Sequence, residues 1–377
     1  MELIWIELAG FRCYDTLRFE PEPGVNVLSG DNGAGKTSVL EAIGYLGLLR
    51  SFRGTSDESL VAVDAESAVV RGEFSVPSGT VLVEVEIPRE GRRRIQLNGK
   101  RPQRNRDVLG QVPLVVFQPD DLDLVKRGPG LRRGYLDDLA AQLWPQAVAD
   151  QHDFDRALRQ RNALLRQEGR AADRTTLDAW DTQLAAAGAR VFAHRLRLLG
   201  ELESRLDDAY QGVGAEGRLT WKYLTNWGAT AESSEVEAGQ HLVEALTRRR
   251  ERDFDQRTTT GGPQRDDAML MVSGRPARSM ASQGEQRTVA LALRIAAYRA
   301  LAAQRPSLPV LLLDDVFSEL DPSRSEGVLT LFDEGQVFVT TARDDAAAVQ
   351  GRRWFVRGGA LKRDDSGDGL GRDVGGG

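Results

Sequence analysis

The stretch that decides the fold is Gly30–Thr37, which reads GDNGAGKT. It fits the pattern Gly-x-x-x-x-Gly-Lys-Ser/Thr, in which a glycine-rich loop surrounds phosphates, the lysine adds a positive charge and the hydroxyl binds Mg²⁺. The apolar run Val25–Ser29 predicts a strand before the loop, and apolar residues at helical spacing predict a helix over Lys36–Leu49. This order directs a helix N-terminus at the phosphates. The sequence therefore predicts a nucleoside triphosphate site, the alternative being a glycine-rich turn that matches by chance.

A second part of the site is predicted far along the chain, where the apolar run Pro309–Leu313 ends in Asp314 and Asp315. We expect Asp314 and Thr37 to hold Mg²⁺ and Asp315 to be the general base that faces the attacking water. The alternative for Asp315 is a carboxylate that only orients a lysine or arginine. The predicted nucleotide contacts in the loop are Gly30, Asp31, Asn32, Gly33, Ala34, Gly35, Lys36, Thr37 and Ser38.

Length and composition limit the class of protein less strictly than these motifs do. At 377 residues the chain is long enough for two domains or lobes. Its one cysteine, Cys13, excludes an intrachain disulfide, and no His and Cys spacing is typical of a zinc site. Met1–Leu8 lacks the pattern of a secretory leader, and no apolar run is long enough to span a membrane. We therefore expect a cytoplasmic protein without a membrane partner.

The hydrophobic pattern predicts an α/β fold interrupted by helices. Strands are predicted in the first third, where Val81, Val83, Val85 and Ile87 alternate as in a half-buried antiparallel strand. The segment 121–261 is mainly helical, and strands and helices alternate again afterwards. Because both parts of the nucleotide site must meet, residues 1–120 and 262–363 are predicted to form one head and 121–261 an inserted lobe. Residues 364–377 are predicted to be a disordered tail.

Ser282–Arg287 reads SQGEQR and opens a predicted amphipathic helix. With the phosphate loop before it and the acidic strand end after it, the order resembles the ATP-binding-cassette (ABC) ATPase superfamily. The resemblance implies an ABC-type head, with a mixed sheet and an antiparallel β-subdomain. It also implies that the signature binds the γ-phosphate held by another subunit. The predicted signature residues are Ser282, Gln283, Gly284, Glu285 and Gln286, and the alternative is an ordinary capped helix.

Within that superfamily the sequence resembles the RecF family of bacterial recombination mediators, from the N-terminus to about Lys362. The segments that carry the resemblance are GPGLRRGYLD at 128–137, GPQRDD at 262–267, SQGEQR at 282–287 and LLLDDVFSELD at 311–321. The chain departs from the family at Gln264 and Phe52, where histidine is usual. These departures affect details of two loops.

The resemblance adds two further residues to the predicted site. Gln118, which follows the strand Pro113–Phe117, fits the glutamine that senses Mg²⁺ and the γ-phosphate, although it is equally a hinge residue before Pro119. Arg12 lies in the turn after the first strand, where related heads place a phosphate-contacting arginine. Aspartate at 315, in place of a longer glutamate, predicts weak ATP hydrolysis that acts as a timer.

A basic window at Arg89–Arg106 is the candidate DNA contact. It has eight basic residues and one acid, a net charge of 8 − 1 = +7, and Asn98-Gly99 predicts a tight turn at its tip. Basic side chains without aromatic ones suit sequence-independent phosphate contacts, and the alternative is an edge strand protected by charge. A second cluster at 248–252 is predicted to form pairs within its helix. The predicted DNA contacts are Arg92, Arg93, Arg94, Lys100, Arg101, Arg104 and Arg106.

The resemblance implies a nucleoid-associated protein that dimerises on ATP and binds double-stranded and gapped DNA. Its implied partners are RecR, with RecO and RecA in the pathway, and its implied roles are recombinational repair, replication restart and SOS induction. One alternative is an SMC-like structural chromosome ATPase, but the insertion is short for a coiled-coil arm and has no zinc-hook cysteines. The other is the nucleotide-binding subunit of a transporter, which the basic window disfavours.

Overall fold

The computed structural model describes residues 1–104, 107–317, 328, 335–342 and 349–364. It divides into two compact units, one of Met1–Pro119 with Leu301–Gly377 and one of Asp120–Ala300. The first boundary lies where the helical lobe is predicted to begin. The second lies at 300 and not at 261, because the strand Leu219–Leu224 pairs with Asp267–Val272 and ties the following residues to the helices. The assignment of 262–300 to the head stays a prediction.

Several predicted segments lie outside the described residues. These are the motif at 318–321, most of the helix predicted over 323–332, and the tail from 365 onward. Among the described residues the strands are β1 Glu2–Phe11, β2 Tyr14–Phe19, β3 Val25–Ser29, β4 Ser67–Val76, β5 Gly79–Pro88, β6 Arg94–Leu97, β7 Leu114–Phe117, β8 Leu219–Leu224, β9 Asp267–Val272, β10 Arg275–Pro276, β11 Val310–Asp314, β12 Val337–Thr341, β13 Arg352–Arg357 and β14 Ala360–Arg363. The helices are α1 Lys36–Leu48, α2 Leu122–Lys126, α3 Pro129–Leu143, α4 Pro145–Gln167, α5 Arg174–Gly212, α6 Glu235–Gln256, α7 Ala277–Met280 and α8 Gln283–Gln304.

The first unit contains two sheets. One is antiparallel, with the order β2-β1-β4-β5-β6. In β5 the predicted alternation is confirmed, because Val81, Val83, Val85 and Ile87 are buried between less buried neighbours and both adjacent strands run antiparallel. The other sheet has the order β14-β13-β3-β12-β11-β7 and is parallel except at its β14 edge.

Helix α1 joins the two sheets into one core. Val39, Leu40 and Ile43 on the helix belong to the same buried cluster as Ile6 of β1 and Leu312 of β11. The parallel strands β3, β12 and β11 are buried almost throughout, as expected for strands covered on both faces. This packing fixes the start of α1 relative to the ends of β3 and β11, where the predicted site residues lie.

The second unit consists of α2 to α6, α7 with most of α8, and a three-stranded antiparallel sheet of order β10-β9-β8. Helices α4, α5 and α6 share an apolar cluster that includes Phe154, Phe192 and Leu242. A buried guanidinium also links them, because Arg161 on α4 donates to Asp181 on α5 at 2.5 Å and to Asp253 on α6 at 2.8 Å. Strand β8 was not predicted from the sequence. None of the helices described has the length and apolarity needed to cross a membrane.

Candidate nucleotide-binding site

The loop between β3 and α1 has a backbone that only glycine adopts easily. Gly30, Gly33 and Gly35 have φ angles of 154°, 80° and 107°. At Gly35 a Cβ would also lie 2.7 Å from the Tyr14 hydroxyl oxygen. The glycines therefore bring the loop close against β2 and leave its N–H groups at the start of α1, which is the arrangement that phosphate binding requires.

Lys36 is the first residue of α1, directly after this loop, and is buried. Its Nζ donates to the backbone carbonyl oxygens of Gly30 at 2.7 Å and Asp31 at 3.0 Å. Burial lowers the pKa of the Lys36 ammonium, and the nearby Asp315, Asp31 and Asp314 act in the opposite direction. The ammonium is thus held by neutral acceptors and is available to a phosphate at the loop.

Asp314 connects the predicted halves of the site. Its Oδ1 accepts from Thr37 Oγ1 at 2.8 Å and from Thr340 Oγ1 at 2.7 Å. Strand β12 lies between β3 and β11 in the sheet, so Thr340 at its end reaches Asp314 directly and accepts from the Asp315 backbone N–H at 3.0 Å. The sequence analysis did not predict Thr340, because no motif marks the end of β12.

The donor set fits a hard divalent cation. Thr37 and Asp314 offer oxygen atoms, and burial raises the pKa of the Asp314 carboxyl against the hydrogen bonds from Thr340 and Thr37. A cation beside Asp314 would offset this cost of burying its charge. Among the residues described, no cluster of three or more His, Cys, Asp or Glu side chains could form a metal cage. Two protein oxygens suit Mg²⁺, which keeps several waters and binds substrate phosphates.

These residues open into a cleft of about 760 Å³. Asp315 lines it with an exposed side chain and a φ of 51°, a left-handed conformation that aspartate tolerates better than most residues. Arg53, Val61 and Val63 also line the cleft and were not predicted as site residues. The complete lining is Arg12, Cys13, Asn32, Gly33, Gly35, Lys36, Thr37, Ser38, Arg53, Ser59, Val61, Val63, Asp315, Thr340 and Ala342.

Arg12 lies in the cleft wall, but its guanidinium already has a carboxylate partner. Nε and Nη2 donate to the two oxygens of the buried Glu41 at 2.8 Å and 2.7 Å. The predicted phosphate contact of Arg12 stays a prediction. Gln118 is not among the cleft residues in the described part of the chain, and its amide donates to the Phe52 carbonyl oxygen at 3.4 Å. Its predicted role with Mg²⁺ also stays a prediction.

The signature segment begins α8. Ser282 and Gln283 are exposed there, and Ser282 forms a capping box with Glu285. Gln286 is different, because its amide is buried and donates to the carbonyl oxygens of Ala277, Arg278 and Ala281 at 3.2–3.3 Å. Its side chain therefore caps the end of α7. Its predicted contact with another subunit's nucleotide stays a prediction.

The side chains of the basic window differ in their exposure and in their partners. Arg92, Lys100, Arg101 and Arg104 are exposed, whereas Arg106 lies outside the described residues. Arg93 is half-buried, donates to the carbonyl oxygen of Leu49 and approaches Asp57 at 3.4 Å. Its role as a DNA contact stays a prediction. Arg94 donates to both oxygens of Glu86 at 2.9–3.0 Å, which neutralises much of its charge. The turn is confirmed at Asn98-Gly99, and after it Lys100 pairs with Leu97 in an isolated bridge.

The phosphate loop and the acidic end of β11 belong to the same mixed sheet, and an antiparallel sheet covers it. This arrangement defines an ABC-type ATPase head. The model of the family "RecF/RecN/SMC N terminal domain" matches residues 2–354. The head of an Smc protein from Pyrococcus furiosus, in complex with part of ScpA, superposes with a TM-score of 0.53 at 18% identity over 96% of this chain and 95% of that one, which supports the fold alone.

Relatives of higher sequence identity indicate the family within this class of ATPase heads. The DNA replication and repair protein RecF of Kineococcus radiotolerans is 41% identical over 97% of this chain and 100% of its own length. That of Streptomyces avermitilis is 39% identical over 96% and 100%. The solved structure of the recombination mediator protein RecF-ATP in the RecFOR pathway has a TM-score of 0.89 at 30% identity, covering 96% of this chain and 99% of that chain. The chain belongs to the RecF family of DNA replication and repair proteins.

Proposed function

We propose that this chain is an ATP-dependent recombination mediator that binds DNA in its ATP form and releases it after hydrolysis. The observation that carries the proposal is the contact of Thr37 with Asp314 at 2.8 Å, because it joins the phosphate loop to the acidic strand end. The relatives described as RecF-ATP and RecF-ATPrS support ATP as the nucleotide. The finer steps below are inferred from the site residues and from the family.

In this mechanism Lys36 binds the β- and γ-phosphates, and Thr37 and Asp314 hold Mg²⁺. When bound, Mg²⁺ neutralises phosphate charge and polarises the phosphoryl group. Asp315 accepts a proton from the water that attacks the γ-phosphate. Its carboxylate is exposed in the cleft and its short side chain limits its reach, so we infer weak turnover. From the family we infer that this turnover depends on DNA.

Two copies are inferred to close over two nucleotides, with the exposed Ser282 of each copy contacting the γ-phosphate bound by the other. Loss of that phosphate removes the shared ligand, so hydrolysis favours dissociation. The exposed Arg92, Lys100, Arg101 and Arg104 are the DNA contacts that we retain, and binding through them should weaken steeply with salt. The inferred DNA is duplex beside a gap, and the inferred partners are RecR, RecO and RecA.

The substitution Lys36→Arg tests the timer. Arginine keeps the positive charge, but its planar guanidinium does not fit the buried position between the Gly30 and Asp31 carbonyls. We expect ATP binding to be retained, turnover to fall by about 100-fold or more, and DNA release in ATP to slow in parallel. Stopped-flow release of fluorescent gapped DNA and phosphate release measure the two rates. The exposed Lys362→Arg is the matched control and should behave as the parent. DNA release by Lys36→Arg at the parent rate would refute the timer.

A further inference from the structure

The wall of the cleft includes Val63, which belongs to a tight turn, Ala62–Ala65. The Ala65 N–H donates to the Ala62 carbonyl oxygen at 3.0 Å and closes the turn, and the Ala62 N–H donates to Gly10 at 2.8 Å. Val63 is the second residue of the turn, lines the cleft and is 89% exposed. A single exposed valine is ordinary on a protein surface. At the edge of a ligand cleft, an apolar side chain on a fixed turn is a wall for an apolar part of a ligand.

One guanidinium holds this turn. Arg89, at the end of β5, donates from Nη2 to the carbonyl oxygens of Ala62 at 2.6 Å, Val63 at 3.0 Å and Ala65 at 3.1 Å. Its Nε donates to Ala65 as well, at 3.2 Å, and its backbone N–H donates to Glu66 at 2.9 Å. Arg89 therefore binds three of the four carbonyl oxygens of the turn at once. Although it belongs to the basic window by sequence, its guanidinium is directed at the cleft wall.

The cleft has a polar end and an apolar end. Lys36, Thr37 and the loop N–H groups supply charge and donors for phosphates, whereas Val61 and Val63 supply apolar surface without donors. A nucleoside is the part of a nucleoside triphosphate with apolar faces. We propose that Arg89 is a positioning residue for the nucleoside end of the cleft, which keeps Val63 against the bound nucleoside. This inference rests on the proposed function, in which the cleft binds ATP.

The experiment compares two ligands that share a phosphate chain. Binding of Mg²⁺–ATP and of Mg²⁺–tripolyphosphate is measured by calorimetry for the parent, Arg89→Ala, Arg89→Lys and Val63→Thr. Arg71→Ala is the matched control, because Arg71 is exposed on the neighbouring strand β4, pairs with Glu7 and is not among the described residues that line the cleft. We expect Arg89→Ala and Val63→Thr to weaken ATP binding by about tenfold while tripolyphosphate binding stays within twofold of the parent. Arg89→Lys should recover part of the loss, since an ammonium can reach some of the same carbonyls.

Each other outcome is informative. Arg89→Ala that binds ATP as tightly as the parent would overturn the positioning role and leave the proposed function intact. Equal losses for ATP and tripolyphosphate would overturn it too, because they would indicate general damage to the unit and not to the nucleoside end. A parent chain that bound neither ligand would overturn the proposed function and this inference with it. Because Arg89 is exposed, its variants are expected to fold, and thermal unfolding of each protein checks this.

Discussion

At the scale of single residues, Asp266 explains why the segment GPQRDD differs from an ordinary loop. The side chain is fully buried, and its two oxygens accept from Trp227 Nε1 at 2.8 Å and Tyr223 Oη at 3.0 Å. Its backbone carbonyl accepts from Arg133 at 2.6 Å. Burial raises the pKa of Asp266 to about 6, against the hydrogen bond from Trp227 and the charge of Arg195.

The two family segments at 128–137 and 262–267 bind each other. Arg132 donates to both oxygens of Asp267 at 2.7 Å and 2.9 Å, and Arg195 bridges Asp137 to the Pro263 carbonyl at 2.7–2.8 Å. Their residues therefore fix α3, α5 and the start of β9 within the second unit. The sequence identified these segments as family features but gave no role for them, because the partners are more than a hundred residues apart along the chain or, like Arg195, lie outside both segments.

The raised pKa of Asp266 predicts a specific pH dependence of stability. The folded chain holds this proton up to about pH 6, whereas an unfolded aspartate loses it near its ordinary pKa of 3.8. The contribution of Asp266 to the free energy of unfolding therefore falls as pH rises from about 4 to 6, by up to about 3 kcal/mol. Asp266→Asn has no proton to lose, so over that range the parent's urea midpoint should decrease relative to the variant's. The exposed Asp208→Asn is the control and should follow the parent. A parent–variant difference that is constant with pH would contradict the prediction.

At the scale of elements, α1 lies unusually close to the parallel sheet. A Cβ at Gly47 would lie 2.4 Å from Leu114 Cδ2 and 2.6 Å from the Val112 carbonyl oxygen. Because a backbone atom cannot move aside cheaply, the helix itself would have to shift. The glycine thus permits the packing that places the start of α1 beside Asp314.

Gly47→Ala is accordingly expected to destabilise the chain by about 1–3 kcal/mol, although alanine favours helices over glycine. The matched control is Gly200→Ala on α5, where, among the described residues, no atom beyond the adjacent backbone of the helix lies within 4 Å of the added methyl. That substitution should stabilise by up to about 1 kcal/mol. Urea unfolding of the two variants measures the difference. A Gly47→Ala protein as stable as Gly200→Ala would show that the helix can shift without cost.

The elements also show how much the sequence predicts. Strands β3, β6, β11 and β12 lie where periodicity and turn residues predict them, because each depends on its own local pattern. β8 was not predicted, since it forms through its pairing with β9, more than forty residues further along the chain.

The same limit applies to side chains. The motif residues Lys36, Thr37 and Asp314 meet as predicted, but Thr340 and Arg53 enter the cleft through tertiary contacts. Arg250 likewise pairs with Asp178 and Asp181 on α5, and not within its own helix as predicted.

At the scale of the whole molecule, the proposal requires a second copy, and Ser282 is the residue that distinguishes it from an isolated head. Within one chain Ser282 is a helix cap: Glu285 Oε2 accepts from its N–H at 2.7 Å, and its Oγ accepts from the Glu285 N–H at 3.3 Å. Ser234 at the start of α6 has the same arrangement with Glu237, at 2.8 Å and 3.3 Å. Ser234 and Ser282 are thus equivalent caps within the described part of the chain, and Ser282 is the one that lies in the signature segment.

Substitution of each cap in turn distinguishes a role of Ser282 in dimerisation from a role in folding. Ser282→Ala and Ser234→Ala should each lose about 1 kcal/mol of helix stability, because each removes a capping hydroxyl. Only Ser282→Ala also removes a donor to the γ-phosphate of the other copy, so it alone should weaken the ATP-dependent dimer, by about tenfold or more. Sedimentation velocity with ATP, with ADP and without nucleotide measures the monomer–dimer equilibrium. The parent and Ser234→Ala should dimerise in ATP only. Equal dimerisation by the two variants would mean that Ser282 serves only as a cap, and a parent that stays monomeric in ATP would refute the paired head.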